Sequence, residues 1–157
     1  MRSLSPHQFN HRLETAIARL DRIGALTVRD RGGDTPVRKL IFDLVIPGLQ
    51  ALGVPDEAHF RYEEWFRRRE SGEWERVRYN YNYRDLVHGG LLGYHLHPLV
   101  RSDNEPVSHM KVVQADGSGE GHHYAAYEIE ILDAHERLET VFAQGEPISN
   151  RGLRRID

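Results

Sequence analysis

A chain of 157 residues with 39% hydrophobic and 29% charged side chains, a net charge of −3 and no cysteine holds enough apolar material for one ordinary core. That composition excludes extended disorder, a disulfide scaffold and thiolate chemistry. No apolar run approaches the roughly 18 residues that a membrane span needs.

The charge is unevenly placed. Residues 114–143 carry seven acids against the single Arg137, whereas the last seven residues hold Arg151, Arg154 and Arg155. This is not the basic profile of a protein that holds nucleic acid mainly by neutralising phosphates. The N-terminal MRSLSPHQFNHRLE has no apolar signal core, so the expected location is cytoplasmic and no membrane association is expected.

In chain order, Ser5-Pro6 is a helix start, with serine as N-cap and proline at the first helical position. Phe9, Leu13, Ala16, Ile17 and Leu20 follow at helical spacing to about Gly24. His7 and His11 lie four apart on this helix, and a solvated polar face accounts for them. Ala25–Asp34, with Arg29-Asp30-Arg31-Gly32-Gly33 inside it, reads as a turn or flexible link. Thr35-Pro36 repeats the helix-start signal, and Val37, Leu40, Ile41, Leu44, Val45, Leu49 and Leu52 keep helical rhythm with Pro47 near its end. A second N-terminal helix is the expectation here, with a strand over 37–46 as the competing reading because β-branched and aromatic residues are dense.

Phe60, Tyr62, Trp65 and Phe66 sit among charges, and Glu70-Ser71-Gly72-Glu73 marks a turn. The expectation is a hairpin pairing 58–69 with 74–84, with a short helix over 56–70 as the competing reading because that stretch lacks Val and Ile. Arg67-Arg68-Arg69 beside the turn reads as a solvated strand end. Tyr79, Tyr81 and Tyr83 alternate with Asn80, Asn82 and Arg84, which in a strand gives two unlike faces. After Gly89-Gly90, Tyr94 and Leu96 point one way while His95 and His97 point the other. In 108–113, Met110 and Val112 oppose His109 and Lys111. Asp116 to Gly121 is a glycine-rich turn without nucleotide-binding spacing. Tyr124–Ile131 reads as the last strand. Asp133 with Glu136 reads as a capping box opening a final helix with Ala134, Leu138, Val141 and Phe142 inward.

The expected fold is therefore α+β: a mainly antiparallel sheet with two N-terminal helices and one C-terminal helix. The whole chain, 1–157, reads as a single domain, divided into a helical part (1–53), a histidine- and tyrosine-rich sheet (56–131) and the last helix (133–144).

Six of the ten histidines lie between positions 88 and 123. Antiparallel pairing of 91–97 with 108–113 puts His95, His97, His109 and Lys111 on one face, with Arg84, His88, His123 and Tyr124 near enough in sequence to bind a substrate. Three readings of this face stand open. A His-x-His pair with a third histidine is a ligand set for zinc, iron or nickel, against which Lys111 weighs. Two imidazoles and a cation suit cleavage of RNA by its own 2′-hydroxyl, without metal or other cofactor. Finally, strands carry histidine on solvent faces, and such a domain can act as a non-enzymatic interaction module.

A histidine-rich strand, the Asp103-Asn104-Glu105 loop, a second histidine strand and a capped C-terminal helix, over residues 76–143, together resemble the TumE-type toxins of bacterial toxin–antitoxin modules. Those are small α/β proteins with a tyrosine-rich hairpin, an Asp-Asn turn and a His-x-His element. Here His95-Leu96-His97 precedes the Asp-Asn turn instead of following it, and the N-terminal helices have no counterpart. The resemblance implies a toxin that acts on RNA and is held by an antitoxin. Taken with the histidine face, the leading expectation is a small metal-independent ribonuclease, with a histidine-ligated metal protein as runner-up. In the leading reading His95, His97 and His109 are ordered yet open to solvent.

Overall fold

A computed structural model describes residues 3–32, 35–46, 58–99, 105–118 and 122–156. The expected helix end around Pro47–Pro55, the Asp103-Asn104 part of the loop and the Gly119–Gly121 part of the glycine-rich turn lie outside the described residues. The chain is α+β. One helix, α1 (Pro6–Asp21), precedes seven strands: β1 (Ala25–Arg31), β2 (Val37–Ile46), β3 (Ala58–Arg68), β4 (Trp74–Arg84), β5 (Leu91–Pro98), β6 (Pro106–Val113) and β7 (His123–Ala125). A second helix, α2 (Ile131–Ala143), follows them. The strands lie in one sheet in sequence order, each antiparallel to the next.

The start of α1 is as the sequence indicates. Ser5 accepts from the Gln8 amide while the Gln8 side chain accepts from the Ser5 amide, a closed capping box. Phe9, Ala16 and Leu20 form its buried stripe.

Two expectations about this half are corrected. Residues 25–31 are strand β1 and not a link, and 37–46 is strand β2 where a second N-terminal helix was expected. Among the described residues only one helix precedes the sheet. The reason is visible in the burial. Leu40, Phe42 and Leu44 face the helices, while Ile41 between them is also buried, on the far face. A strand with apolar residues on both faces imitates helical spacing, and the β-branched and aromatic density then decides for strand.

The 58–68/74–84 hairpin forms as expected, closed by a turn in which Arg69 N donates to Glu73 O. Its register breaks once: Trp65 pairs with Arg78 but Phe66 with Arg76, so Val77 has no partner on β3. That bulge turns the alternation of β4 over. Tyr79, Tyr81 and Tyr83 are buried on the helix-covered face, and beyond the bulge Arg76 and Trp74 are buried there too.

At the other end of the chain, the expected strand Tyr124–Ile131 shrinks to β7, with 126–130 lying outside regular structure. The helix then starts at Ile131 with Glu130 as N-cap, so Asp133 sits in its first turn and is not the cap. Its carboxylate still lies near the positive end of the helix dipole.

Both helices cover the same face of the sheet. Phe9 packs on Phe66 and Trp74, and Phe142 on Phe60 and Tyr83. Tyr62 donates to His135 Nδ1 at 2.6 Å, and His135 Nε2 lies 3.2 Å from Glu139. No described helix is long and apolar enough to cross a membrane.

Beneath α1 lies a charged group that the sequence does not announce. Glu64, fully buried, receives both arms of the Arg12 guanidinium at 2.6 and 2.8 Å and the Tyr81 hydroxyl. Arg76, its side chain equally buried, donates to Tyr81 at 2.6 Å, reaches Glu64 at 3.4 Å, and meets Glu128 and Glu130 at the margin. Burial alone would raise the Glu64 carboxyl, but Arg12 and Arg76 hold it below its usual range.

Candidate histidine site

The opposite face of the sheet, which neither helix covers, carries the histidines. His95 on β5 pairs directly with His109 on β6, and His109 with Ala125 on β7. Directly opposed residues of antiparallel strands share a face, as do residues two apart. His95, His97, His109, Lys111 and His123 therefore fall together. The ring centroids are 5.5 Å apart for His95–His109, 5.6 Å for His95–His97, 4.6 Å for His97–His109 and 4.7 Å for His109–His123.

One ring nitrogen of each of the three central imidazoles bonds to a carbonyl oxygen. His95 Nε2 meets Asn82 Oδ1 at 2.7 Å, His97 Nδ1 meets Pro98 O at 3.0 Å, and His109 Nδ1 meets Val107 O at 2.9 Å. A carbonyl oxygen only accepts, so these nitrogens carry the protons. The tautomers follow: the lone pairs belong to His95 Nδ1, His97 Nε2 and His109 Nε2. One ligating nitrogen from each ring lies within 4.8 Å of the others.

Gly93 makes this arrangement possible. It sits opposite Asn82 and two residues before His95, on the same face. A Cβ there would collide with Asn82 Oδ1 and lie 2.7 Å from His95 Nε2. The missing side chain is the space in which the amide and the ring meet.

The electrostatics are one-sided. His95 is only 7% exposed. Burial lowers its pKa to about 3, helped by the neighbouring His109, His97, Lys111 and His123. Burial lowers His97 as well, against the bond to Pro98 O, with Arg78, His123 and Lys111 adding to the effect. The expectation of solvent-open imidazoles thus meets a different arrangement: His95 and His109 are buried and His97 is half-buried.

The remaining candidates separate. Lys111 lies beside the trio, opposite both Gly93 and His123. Arg84 shares the face but stands four residues along β4 from Asn80, the partner of His95, about 13 Å at strand rise. His88 is in the β4–β5 turn, its Nδ1 held by Asp85 at 2.9 Å. Tyr124 points to the helix-covered side, where its hydroxyl accepts from Asn150. Asn82 and Gly93 are site residues beyond those expected from the sequence. Their signal was positional: both lie on the face that the alternation assigns to the histidines.

No family model matches this chain, and neither a curated protein nor a solved structure is significantly similar to it.

Proposed function

We propose that the chain is a histidine-ligated metal protein in which His95, His97 and His109 bind a divalent first-row ion, zinc being the reference case. The observation that carries the reading is the set of carbonyl bonds to the three rings. Metal-ligating histidines characteristically donate their other N–H to a carbonyl or carboxylate, which fixes tautomer and orientation. All three rings make such a bond here, and one nitrogen of each ring lies within 4.8 Å of the others. Tetrahedral ligands at about 2.05 Å from zinc stand about 3.4 Å apart, so small ring rotations close the trio on an ion. The lowered proton affinity of His95 and His97 supports the same reading, because a ligand imidazole must be neutral. Three protein ligands leave a coordination position for water, the arrangement of hydrolytic zinc centres. Lys111 then stands where it would hold an anionic ligand.

The toxin-like ribonuclease without metal, with RNA as substrate and an antitoxin as partner, is the second reading. It is favoured by the cationic surroundings of the trio, which suit a phosphodiester. It requires an imidazole protonated near neutrality, and burial works against that at His95 and His97.

Calorimetric titration with zinc, together with cobalt absorption spectra, decides between them. Wild type is expected to bind one ion per chain, His97→Ala to lose it, and Gly93→Ala to weaken it by about 10–100-fold through the displaced Asn82–His95 bond. No zinc or cobalt binding by folded wild type would sink the metal reading. RNA cleavage that survives chelator and follows a bell-shaped pH profile would install the ribonuclease in its place.

A further inference from the structure

Along the neighbouring residues of β6 and β7 lies a cavity of about 710 Å³, within the range of small-molecule sites. Its position follows from the pairing. Val107 is opposite His97, and Ala125 is opposite His109. The C-terminal segment adds itself to the free edge of β7: Tyr124 bridges Arg155, Ala125 N donates to Arg154 O at 2.7 Å, and Ile156 N donates to His123 O at 3.0 Å. Continuing that register sets Arg154 opposite Ala125 and Ile156 opposite His123, so both fall on the histidine face.

Leu99, Val107, Ala125, Ala126 and Ile156 give the cavity a mostly apolar lining, to which Ser108 and Tyr127, 95% exposed, also belong. Among the described residues that line it there is no carboxylate, and Arg154 is the one charged side chain. Arg154 has no side-chain hydrogen bond or ion pair among the described residues. From His109 to Arg154 is two strand spacings, about 10 Å.

We propose that this cavity is the substrate subsite of the metal centre and takes a small carboxylate: an apolar body over Val107, Ala125 and Ile156, its carboxylate on Arg154, its far end beside His97 and His109. The inference rests on the metal reading for what happens at that far end, and on the cavity alone for binding.

Two titrations separate these. In the first, hexanoate and uncharged hexanol are added to metal-free protein and followed by amide NMR. Hexanoate is expected to give saturable shifts at Val107, Ala125 and Ile156. Arg154→Gln is expected to weaken it roughly tenfold or more, the loss of a charge-assisted bond, and hexanol to bind no better than hexanoate does to that variant. Arg154 is exposed, so the variant folds. Absence of saturable shifts, or equal binding by Arg154→Gln, overturns the proposal.

In the second, zinc-loaded protein receives acetohydroxamate or adipic monohydroxamate, which adds a carboxylate at chain's length from the chelating group. The longer compound is expected to bind roughly tenfold tighter, an advantage lost in Arg154→Gln. Acetohydroxamate binding without that advantage overturns the subsite and leaves the metal centre standing. Failure of zinc to bind, with the hexanoate result intact, removes the metal centre and leaves the carboxylate site.

Discussion

Glu64 and His95 are both polar residues buried on the same sheet, Glu64 on the helix-covered face and His95 on the other. Around Glu64 the charged donors are of opposite sign and converge: Arg12 binds it with two arms, Tyr81 donates to it, and Arg76 spans Tyr81, Glu64, Glu128 and Glu130, with only its Nε left without a hydrogen bond. Around His95 the neighbours are three more imidazoles and Lys111, all of the same sign when protonated. The first group balances its charges within the chain, and it ties α1 to β3, β4 and the segment before α2. In the second, burial holds His95 and His97 toward the neutral form. A buried group that neutralises itself serves the fold, whereas three imidazoles brought together with one nitrogen each within 4.8 Å are suited to an ion from outside.

The contrast is broken most forcefully at Glu64. Glu64→Gln keeps the shape and removes the charge, leaving the buried Arg76 and the half-buried Arg12 with only the marginal glutamates. A loss of about 3–5 kcal/mol in urea unfolding is expected. A loss under about 1 kcal/mol would mean that Glu128 and Glu130 suffice and that the network is not what anchors α1.

Acid provides the next lever, applied to metal-free protein. The His95 pKa is depressed in the fold, to about 3, so between about pH 6.5 and 3 the unfolded chain binds the proton that the folded chain refuses. Stability is therefore complete above about pH 6.5 and falls as pH drops, by up to about 1.4 kcal/mol per unit from this group. Glu64, also depressed, adds its loss only below its unfolded value of about 4.3. Urea unfolding of wild type and His95→Gln at about pH 7 and about pH 5 isolates the histidine, because Glu64 is still ionised there. Equal slopes in the two proteins would show that His95 is not buried neutral.

The smallest effect sharpens the comparison from the other side. His97 is half-buried and bonds only to Pro98 O through Nδ1 among the described residues. His97→Ala is expected to change stability in the metal-free state by no more than about 1 kcal/mol. A cost near that of a core truncation would make His97 a packing residue and weaken its standing as a ligand.

The sequence by itself determined the parts whose cause is local. The Ser5-Pro6 start and the apolar stripe of α1, the 58–68/74–84 hairpin, and the alternation that sends Tyr79, Tyr81 and Tyr83 one way and the histidines the other all follow from neighbouring residues. So does the joining of His95, His97, His109 and Lys111, since one antiparallel pairing of two alternating strands compels it. Tertiary structure decided the rest. Val37–Ile46 became a strand because it is buried on both faces, and a doubly buried strand has the apolar density that a helix would show. Arg76 reached Glu64 because one bulge reversed the parity of β4, and nothing in Val77 or its neighbours marks where a register will slip. Asn82 entered the site through the space over Gly93. Arg154 came to the histidine face because the C-terminal segment paired with β7, about thirty residues away in sequence. Alternation and capping are read within a few residues, whereas register, cavities and distant pairings exist only once the strands are side by side.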